Sequence, residues 1–424
     1  MIVKSAENAE SGRSSGRLNE GGIPMKKILT LVLAVALVLT LSCAAFAEGY
    51  NGELKIWVAE AAVDFTNAQV EAFKAANPEY ADMTVKIEPL GEGDAASNVL
   101  TDVEGAADIF GFPQDQLARL VAAGALEEVE PGNAEIVKAE NDAGSVAAAT
   151  LGDTMYAYPL TSDNGYFLYY DKSVVTDPST LEGILADCEA AGKSMYFEIN
   201  SGWYQTAFFF GAGCTLTYDT DDTGALTQCN VDYASENGVK ALKSIIKLAQ
   251  SPAFVNGSSI SNATNVGAIV DGTWDSNAAQ ELFGDNYAAC KLPTVDGYQL
   301  SGFGGFKLLG VKPQTDDDKL AACDALASYL ASGDVQLARY NELGWGPSNI
   351  AAQQDDAVQA NVALAALADQ LQYTIPQGQY PGDYWTLATG LGDDIIADKL
   401  DNASDEELLA TLQTFQDTCI SYVD

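Results

Sequence analysis

The chain has 424 residues, 47% of them hydrophobic and 19% charged, so it can bury the core of two or three ordinary domains and does not read as disordered. Its 60 acidic residues against 21 basic ones give a net charge of -39, which repels nucleic-acid phosphates and anionic lipid and argues against nucleic acid as a partner. It has no histidine, which removes the usual general base, the Ser–His and Cys–His nucleophile pairs and the commonest metal ligand; carboxylate-only glycoside hydrolysis is the enzyme chemistry left open.

In chain order, the segment before Met25 ends in Glu20-Gly21-Gly22-Ile23-Pro24, which a translated ribosome-binding sequence would encode. Residues 1–24 therefore read as a non-native leader, with Met25 as the start. Lys26-Lys27, the apolar run Ile28 to Leu41 and the small-x-small site Ala45-Phe46-Ala47 read together as a secretory signal peptide over 25–47, cleaved before Glu48. Cys43 offers an alternative, a lipid-modified terminus on the outer face of the cytoplasmic membrane, although Thr40-Leu41-Ser42 is a poor match for the preceding lipobox. Either way the mature chain is extracytoplasmic. Its remaining cysteines include Cys214 and Cys229, which flank a turn-like stretch and could bridge a hairpin or remain free thiols.

Gly52–Glu60 reads as a strand, Phe65–Tyr80 as a helix ended near Pro78, Met83–Leu90 as a second strand, Ala95–Gly105 as a second helix and Ala106–Phe112 as a third strand. Such alternation predicts a parallel, doubly wound sheet. It weakens over the Tyr-rich run Thr154–Val175, which is itself β-like. Strand-like segments return at Asn265–Ser276, Tyr287–Gly297 and Gly304–Val311, and the chain is almost wholly helical from Asp316. A pattern that leaves and re-enters α/β structure predicts two lobes joined by crossovers, with a ligand cleft between them.

The loops after the strands carry aromatic and polar side chains, and open α/β sheets bind ligands at those ends. The candidates are Glu60, Phe112, Gln114, Asp115, Gln116, Asp163, Asn164, Trp203, Trp274, Tyr384 and Trp385. Flat rings beside planar hydrogen-bonding groups suit a sugar, whose C–H faces pack on a ring and whose hydroxyls need donors and acceptors. Gln114 and Asp115 also suit capping of the helix that follows. Asp219–Gly224 reads as a hairpin turn rather than a calcium loop. No phosphate loop, metal-ligand spacing or nucleophile elbow is present, so no cofactor is expected. No basic residue stands near Phe112 or Trp274 in the sequence, which argues against an anionic ligand; a polyamine stays open as an alternative.

Several segments resemble, in order, the extracellular solute-binding proteins of ABC importers, in the maltose/maltodextrin-binding group of family 1. They are Gly52–Trp57 (GELKIW), Ala107–Pro131 (ADIFGFPQDQLARLVAAGALEEVEP), Gly152–Val175, Gly267–Asn277 (GAIVDGTWDSN) and Lys291–Thr294. The resemblance implies a two-lobe, type II-like periplasmic-binding-protein fold with crossover hinge segments. Its N-lobe would be 49–161 plus 295–344 and its C-lobe 162–294 plus 345–424. It implies a monomer that binds a malto-oligosaccharide or related sugar by lobe closure and delivers it to permease subunits, without chemistry. Phe112, Trp203, Trp274 and Tyr384 or Trp385 would stack on the sugar; Asp115, Asp163 and Glu60 would accept from hydroxyls. Gln116 and Ser201 depart from the residues common in maltose binders. A secreted hydrolase using Asp115 and Asp163 is the rival reading.

Overall fold

A computed structural model of the protein describes residues 49–423. The proposed leader, signal peptide and Cys43 lie outside the described residues. Ten strands form one sheet: β1 (Glu53–Val58), β2 (Thr84–Pro89), β3 (Ile109–Pro113), β4 (Ala157–Asp171), β5 (Ser194–Tyr196), β6 (Phe254–Val255), β7 (Val266–Gly272), β8 (Tyr287–Cys290), β9 (Phe303–Val311) and β10 (Ile375–Pro376). Their order is β6-β5-β7-β4-β9-β3-β1-β2, with β8 paired to β4 and β10 to β9.

β1, β2 and β3 are parallel, with Leu54 beside Val85 and Ile56 beside Ile109. Each crossover is made by a helix. The first, α1 (Val63–Ala76), stops where Pro78 excludes Asn77 from helical backbone. The second crossover carries α2 (Ala95–Thr101), and α3 (Leu117–Ala122) follows β3. In the other half β7 runs parallel to β5 and antiparallel to β4. Around it pack α4 (Gly202–Gly211), α5 (Glu236–Ala249), α6 (Ser276–Phe283) and, after α7 (Asp317–Leu330) and α8 (Gly333–Leu343), the C-terminal α9 (Gly382–Ile396) and α10 (Asp405–Ser421).

β4 is the element the two halves share. Over its 15 residues it pairs first with β9, Tyr158 against Leu309, and then with β7, Tyr169 against Ile269. The apolar cores divide along it. Leu54, Ile56, Phe110, Phe112, Tyr158, Leu308 and Leu326 form one cluster. Tyr166, Phe197, Phe208, Leu242, Phe303, Tyr384 and Phe415 belong to a second, and Phe167, Tyr169, Ile269, Phe283 and Leu367 to a smaller third one. Between the cores, β4 carries Thr161, Asp163 and Asn164, and β9 carries Lys307 at a register irregularity. A bulge at that point turns the Lys307 side chain toward the polar seam. The expected α/β two-lobe fold is thus what the chain adopts.

The six cysteines among the described residues are all free. Cys229 lies across the hairpin from Tyr218, and Cys214 precedes its first strand, so the bridge between them does not form. The hairpin turn is held instead by Asp221, whose Oδ1 accepts from Thr223 N and Ala225 N at 2.9 and 3.1 Å. No cluster of metal-ligating side chains occurs among the described residues.

Candidate functional site

Four strands end in the same local device, a 3₁₀ turn leading into a helix. The turns are Glu60–Ala62 after β1, Glu92–Asp94 after β2, Gln114–Gln116 after β3 and Thr273–Asp275 after β7. All four open onto one cavity of about 680 Å³. Ala59 and Ala61, Glu92 and Asp94, Asp115 and Gln116, and Trp274 and Asp275 line it from these turns. Asn164 from β4, Trp203 and Tyr204 from α4, Lys307 from β9, Trp345, Gln377 and Trp385 complete the walls together with Arg119.

Six of the sequence candidates meet here: Asp115, Gln116, Asn164, Trp203, Trp274 and Trp385. The other five do not line the cavity. Phe112 is fully buried in the first core, tilted against Phe110 at 5.7 Å between centroids, because β3 is covered on both faces. Gln114 is buried and ties the seam together: its amide donates to Gln377 O and its Oε1 accepts from Phe306 N at 2.9 Å. Asp163 lies beneath the floor, accepting from Thr273 Oγ1 and Gly346 N. Tyr384 is in the second core, its hydroxyl donating to Gly202 O at 3.0 Å. Glu60 is exposed on the rim between Ala59 and Ala61. Neither Gln114 nor Asp115 caps its helix.

Gln377 is the hub that sequence reasoning missed. Its Nε2 donates to Asp115 Oδ1 at 2.9 Å, while its Oε1 accepts from Trp203 Nε1 at 3.0 Å and Asn164 Nδ2 at 3.3 Å. One amide thus joins a first-half carboxyl, a β4 side chain and a second-half indole. Burial pushes the Asp115 carboxyl up to about 7, although Arg119 pulls in the opposite direction. Gln116 is committed locally: its amide accepts from Ala96 N at 2.8 Å and donates to Gly93 O at 2.6 Å, fixing α2 against the turn after β3.

Lys307 is the second residue the sequence did not flag, and it corrects the expectation that no base stands near Trp274. Its Nζ lies 2.8 Å from Glu92 Oε2, 5.0 Å from the Trp274 ring centroid and 4.7 Å from that of Trp345. Burial works against the ammonium, but Glu92 and Asp163 outweigh it and raise its pKa, so Lys307 stays charged. At the end of β7, burial and the neighbouring Asp275 hold Asp271 well above the ordinary carboxylate range. The strand-end rule that located the other turns would also have flagged Glu92 and Asp94 after β2; Lys307, Trp345 and Gln377 carry no such local mark.

The second-half wall is aromatic. Trp203, Trp274 and Trp385 are each half-buried, with Trp203 and Trp274 at 5.9 Å and 45° between rings. Tyr166 packs edge-on behind Trp203 at 4.6 Å, and Tyr384 behind Trp385 at 4.8 Å, so both indoles are held by core rings. The arrangement offers flat apolar surface on one side and hydrogen-bonding groups on the other.

The chain is similar to known proteins in sequence and in fold. The family model described as bacterial extracellular solute-binding protein matches residues 68–366. The chain is 25% identical over 316 residues to the galactooligosaccharide-binding protein of Bacillus subtilis (strain 168), covering 69% of this chain and 73% of that protein. A solved structure with acarbose is similar at 26% identity and a TM-score of 0.76, covering 88% of this chain and 99% of that one. The maltodextrin-binding protein MalE1 from L. casei BL23, solved without ligand, has a TM-score of 0.70 at 24% identity, with 88% and 99% of the two chains covered, a likeness of fold.

Proposed function

The chain belongs to the bacterial extracellular solute-binding proteins, a family that works outside the cytoplasm, and from that premise we propose that it captures an oligosaccharide and delivers it to the permease of an ABC importer. The observation that carries this reading is the division of the cavity into a wall of half-buried indoles and a wall of carboxyl, amide and guanidinium groups. Pyranose C–H faces pack on the first, and the ring hydroxyls exchange hydrogen bonds with the second. A hydroxyl left unpaired in a closed cavity is costly, which makes the polar wall selective. Because the walls belong to different halves of the sheet, a sugar touching both binds the closed arrangement better and draws the protein toward it.

The lobes are taken as 49–161 plus 295–344 and 162–294 plus 345–424; a first apolar core drawn from 54–160 and 308–331 supports that division, whereas Val295, Leu300 and Phe303 pack with the second core and count against the boundary at 295. Binding residues within the site are Asp115, Gln116, Asn164, Trp203, Trp274 and Trp385, with Lys307 and Gln377 added. The ligand class is a short α-glucan such as a malto-oligosaccharide; the acarbose complex favours it, and the Bacillus relative makes a galacto-oligosaccharide the comparison to run beside it. No turnover of the sugar is expected. Asp115 and Asp163 are already engaged by Gln377, Thr273 and Gly346, which counts against their use as an acid–base pair. The cations of Lys307 and Arg119 on the cavity wall count against a polyamine.

A tryptophan-fluorescence titration of the mature chain with maltotriose, β-1,4-galactotriose and spermidine tests the reading, with product analysis on the same samples. Saturable binding of a trisaccharide that is recovered intact is the expected result. Binding of spermidine alone, or cleavage of the sugar, would overturn it.

A further inference from the structure

With 60 acidic residues against 21 basic ones, a cation in this chain has carboxylates to choose from almost anywhere. Nine of the described lysines take one as an ion-pair partner. The described residues hold two arginines, Arg119 and Arg339. Arg339 is buried and committed to the fold: it donates to Leu330 O at 2.7 Å and Leu160 O at 3.5 Å, with its guanidinium against the Phe65 ring. Arg119 stands on the wall of the sugar cavity, and no carboxylate among the described residues comes within ion-pair distance of it. Its Nε is enclosed and unpaired; Nη1 and Nη2 are not enclosed, and they donate to no group among the described residues.

The open end of the guanidinium faces the cavity. Arg119 Nη1 lies 2.8 Å from where a Cβ on Gly382 would stand, and Gly382 lines the same cavity. Asp115 is the one acid whose field reaches Arg119, and it is a weak counter-charge, because burial pushes its carboxyl up to about 7 and its Oδ1 already accepts from Gln377. Gly382 opens α9 behind Pro381, which supplies no side-chain cap, so the first N–H groups of a 15-residue helix are open beside the guanidinium and add positive potential to it. Asp383 in that turn is exposed and makes no ion pair with Arg119. Two positive features meet here with no anion between them. Trp385, three residues after Gly382 on the same face of α9, offers a half-buried indole to the cavity. A sugar ring stacked on that indole turns its substituents edgewise toward this corner.

We propose that the ligand is an acidic oligosaccharide, whose unit at Trp385 carries a carboxylate that Arg119 receives on Nη1 and Nη2. This rests on the sugar-binding reading and narrows its ligand from a neutral glucan to a uronate-bearing one. A planar guanidinium presents paired N–H groups at the spacing of two carboxylate oxygens. The cost of desolvating a cation in a closing cavity is offset by an opposite charge more fully than by a hydroxyl. α3 carries Arg119 to the cavity wall, and the expectation against an anionic ligand does not hold at this corner.

Calorimetric titrations of the mature chain test this with maltotriose, β-1,4-galactotriose and their congeners in which one terminal C6 hydroxymethyl is oxidised to a carboxylate. One acidic congener should bind the wild type about tenfold more tightly than its neutral parent. Arg119→Gln keeps a polar side chain and removes the charge, and should bind that congener no better than the parent. Arg119→Lys keeps the charge without the paired donors and should restore part of the preference. Raising the salt concentration should narrow the wild-type preference. A melting curve establishes that both variants are folded. A wild type that binds a neutral parent as tightly as every acidic congener overturns the proposal and leaves the sugar reading standing. A preference for the congener that survives in R119Q overturns the role of Arg119. A wild type that binds none of these sugars defeats the sugar reading, and the proposal falls with it.

Discussion

The first half of the sheet lines its side of the cavity with Glu92, Asp94, Asp115, Gln116 and Arg119, whereas the second half supplies Trp203, Tyr204, Trp274 and Trp385. A strand running through a 3₁₀ turn into a helix supplies most of the polar wall and Trp274, whereas Trp203, Tyr204 and Trp385 stand in the first turns of α4 and α9. Backbone geometry therefore sets where a wall stands, and residue choice at two or three positions sets what it recognises. The polar wall costs more to build. Its charges sit in partly buried surroundings and need partners from distant sequence, Lys307 for Glu92 and Gln377 for Asp115. The aromatic wall rests mainly on rings packed behind Trp203 and Trp385, with one distant polar tie from the Trp203 N–H to Gln377.

The largest effect should come from breaking the polar wall's ion pair. Glu92→Ala leaves the Lys307 ammonium without its counter-charge where both side chains are about nine-tenths buried (11% and 10% exposed), and should lower unfolding stability by about 3 kcal/mol, read by urea denaturation. An unchanged midpoint would mean that Asp163 and the two indoles suffice. Breaking the aromatic wall should act on the ligand instead. Trp274→Ala should cost about 2 kcal/mol of sugar affinity, roughly 30-fold, in a calorimetric titration, with less effect on stability than Glu92→Ala.

The Asp115 carboxyl sharpens the contrast through pH. Its folded pKa is raised to about 7, so the folded state binds its proton more tightly than the unfolded chain does. The contribution is complete below the ordinary carboxylate pKa and is lost as pH rises through 7. Asp115→Asn should flatten the decline in stability between pH 5 and about 8; a slope identical to wild type would assign that decline to Asp271, whose carboxyl is raised in the same direction. The smallest effect is expected behind the aromatic wall. Tyr384→Phe removes one buried hydrogen bond to Gly202 and should cost about 1 kcal/mol of stability, with sugar affinity unchanged.

How much of this could be read from the sequence follows from the range of each signal. Strand and helix periodicity is local, so β1 to β3, the long β4 and the strand at Trp274 were legible to within a few residues. So were the side chains immediately beyond a strand end. Phe112 shows the limit of that rule: it is the penultimate residue of β3, still inside the sheet, and its ring turns into the core, while Asp115 past the turn reaches the cavity. Tyr384 and Trp385 are neighbours on one helix that point to different environments, and the pair alone does not say which faces the ligand. Lys307 and Gln377 enter the site through partners far along the chain, Glu92 and Asp115, and that pairing exists only once the sheet has assembled.

The continuity of β4 has a mechanical consequence. A strand of 15 residues, roughly 50 Å from end to end, runs through both halves as a single hydrogen-bonded member, with β9 beside it across the seam. Opening or closing the cavity would therefore flex a beam rather than turn a loose joint. The β4–β9 ladder is interrupted at Lys307, at the seam, and that break is where such a member bends most easily.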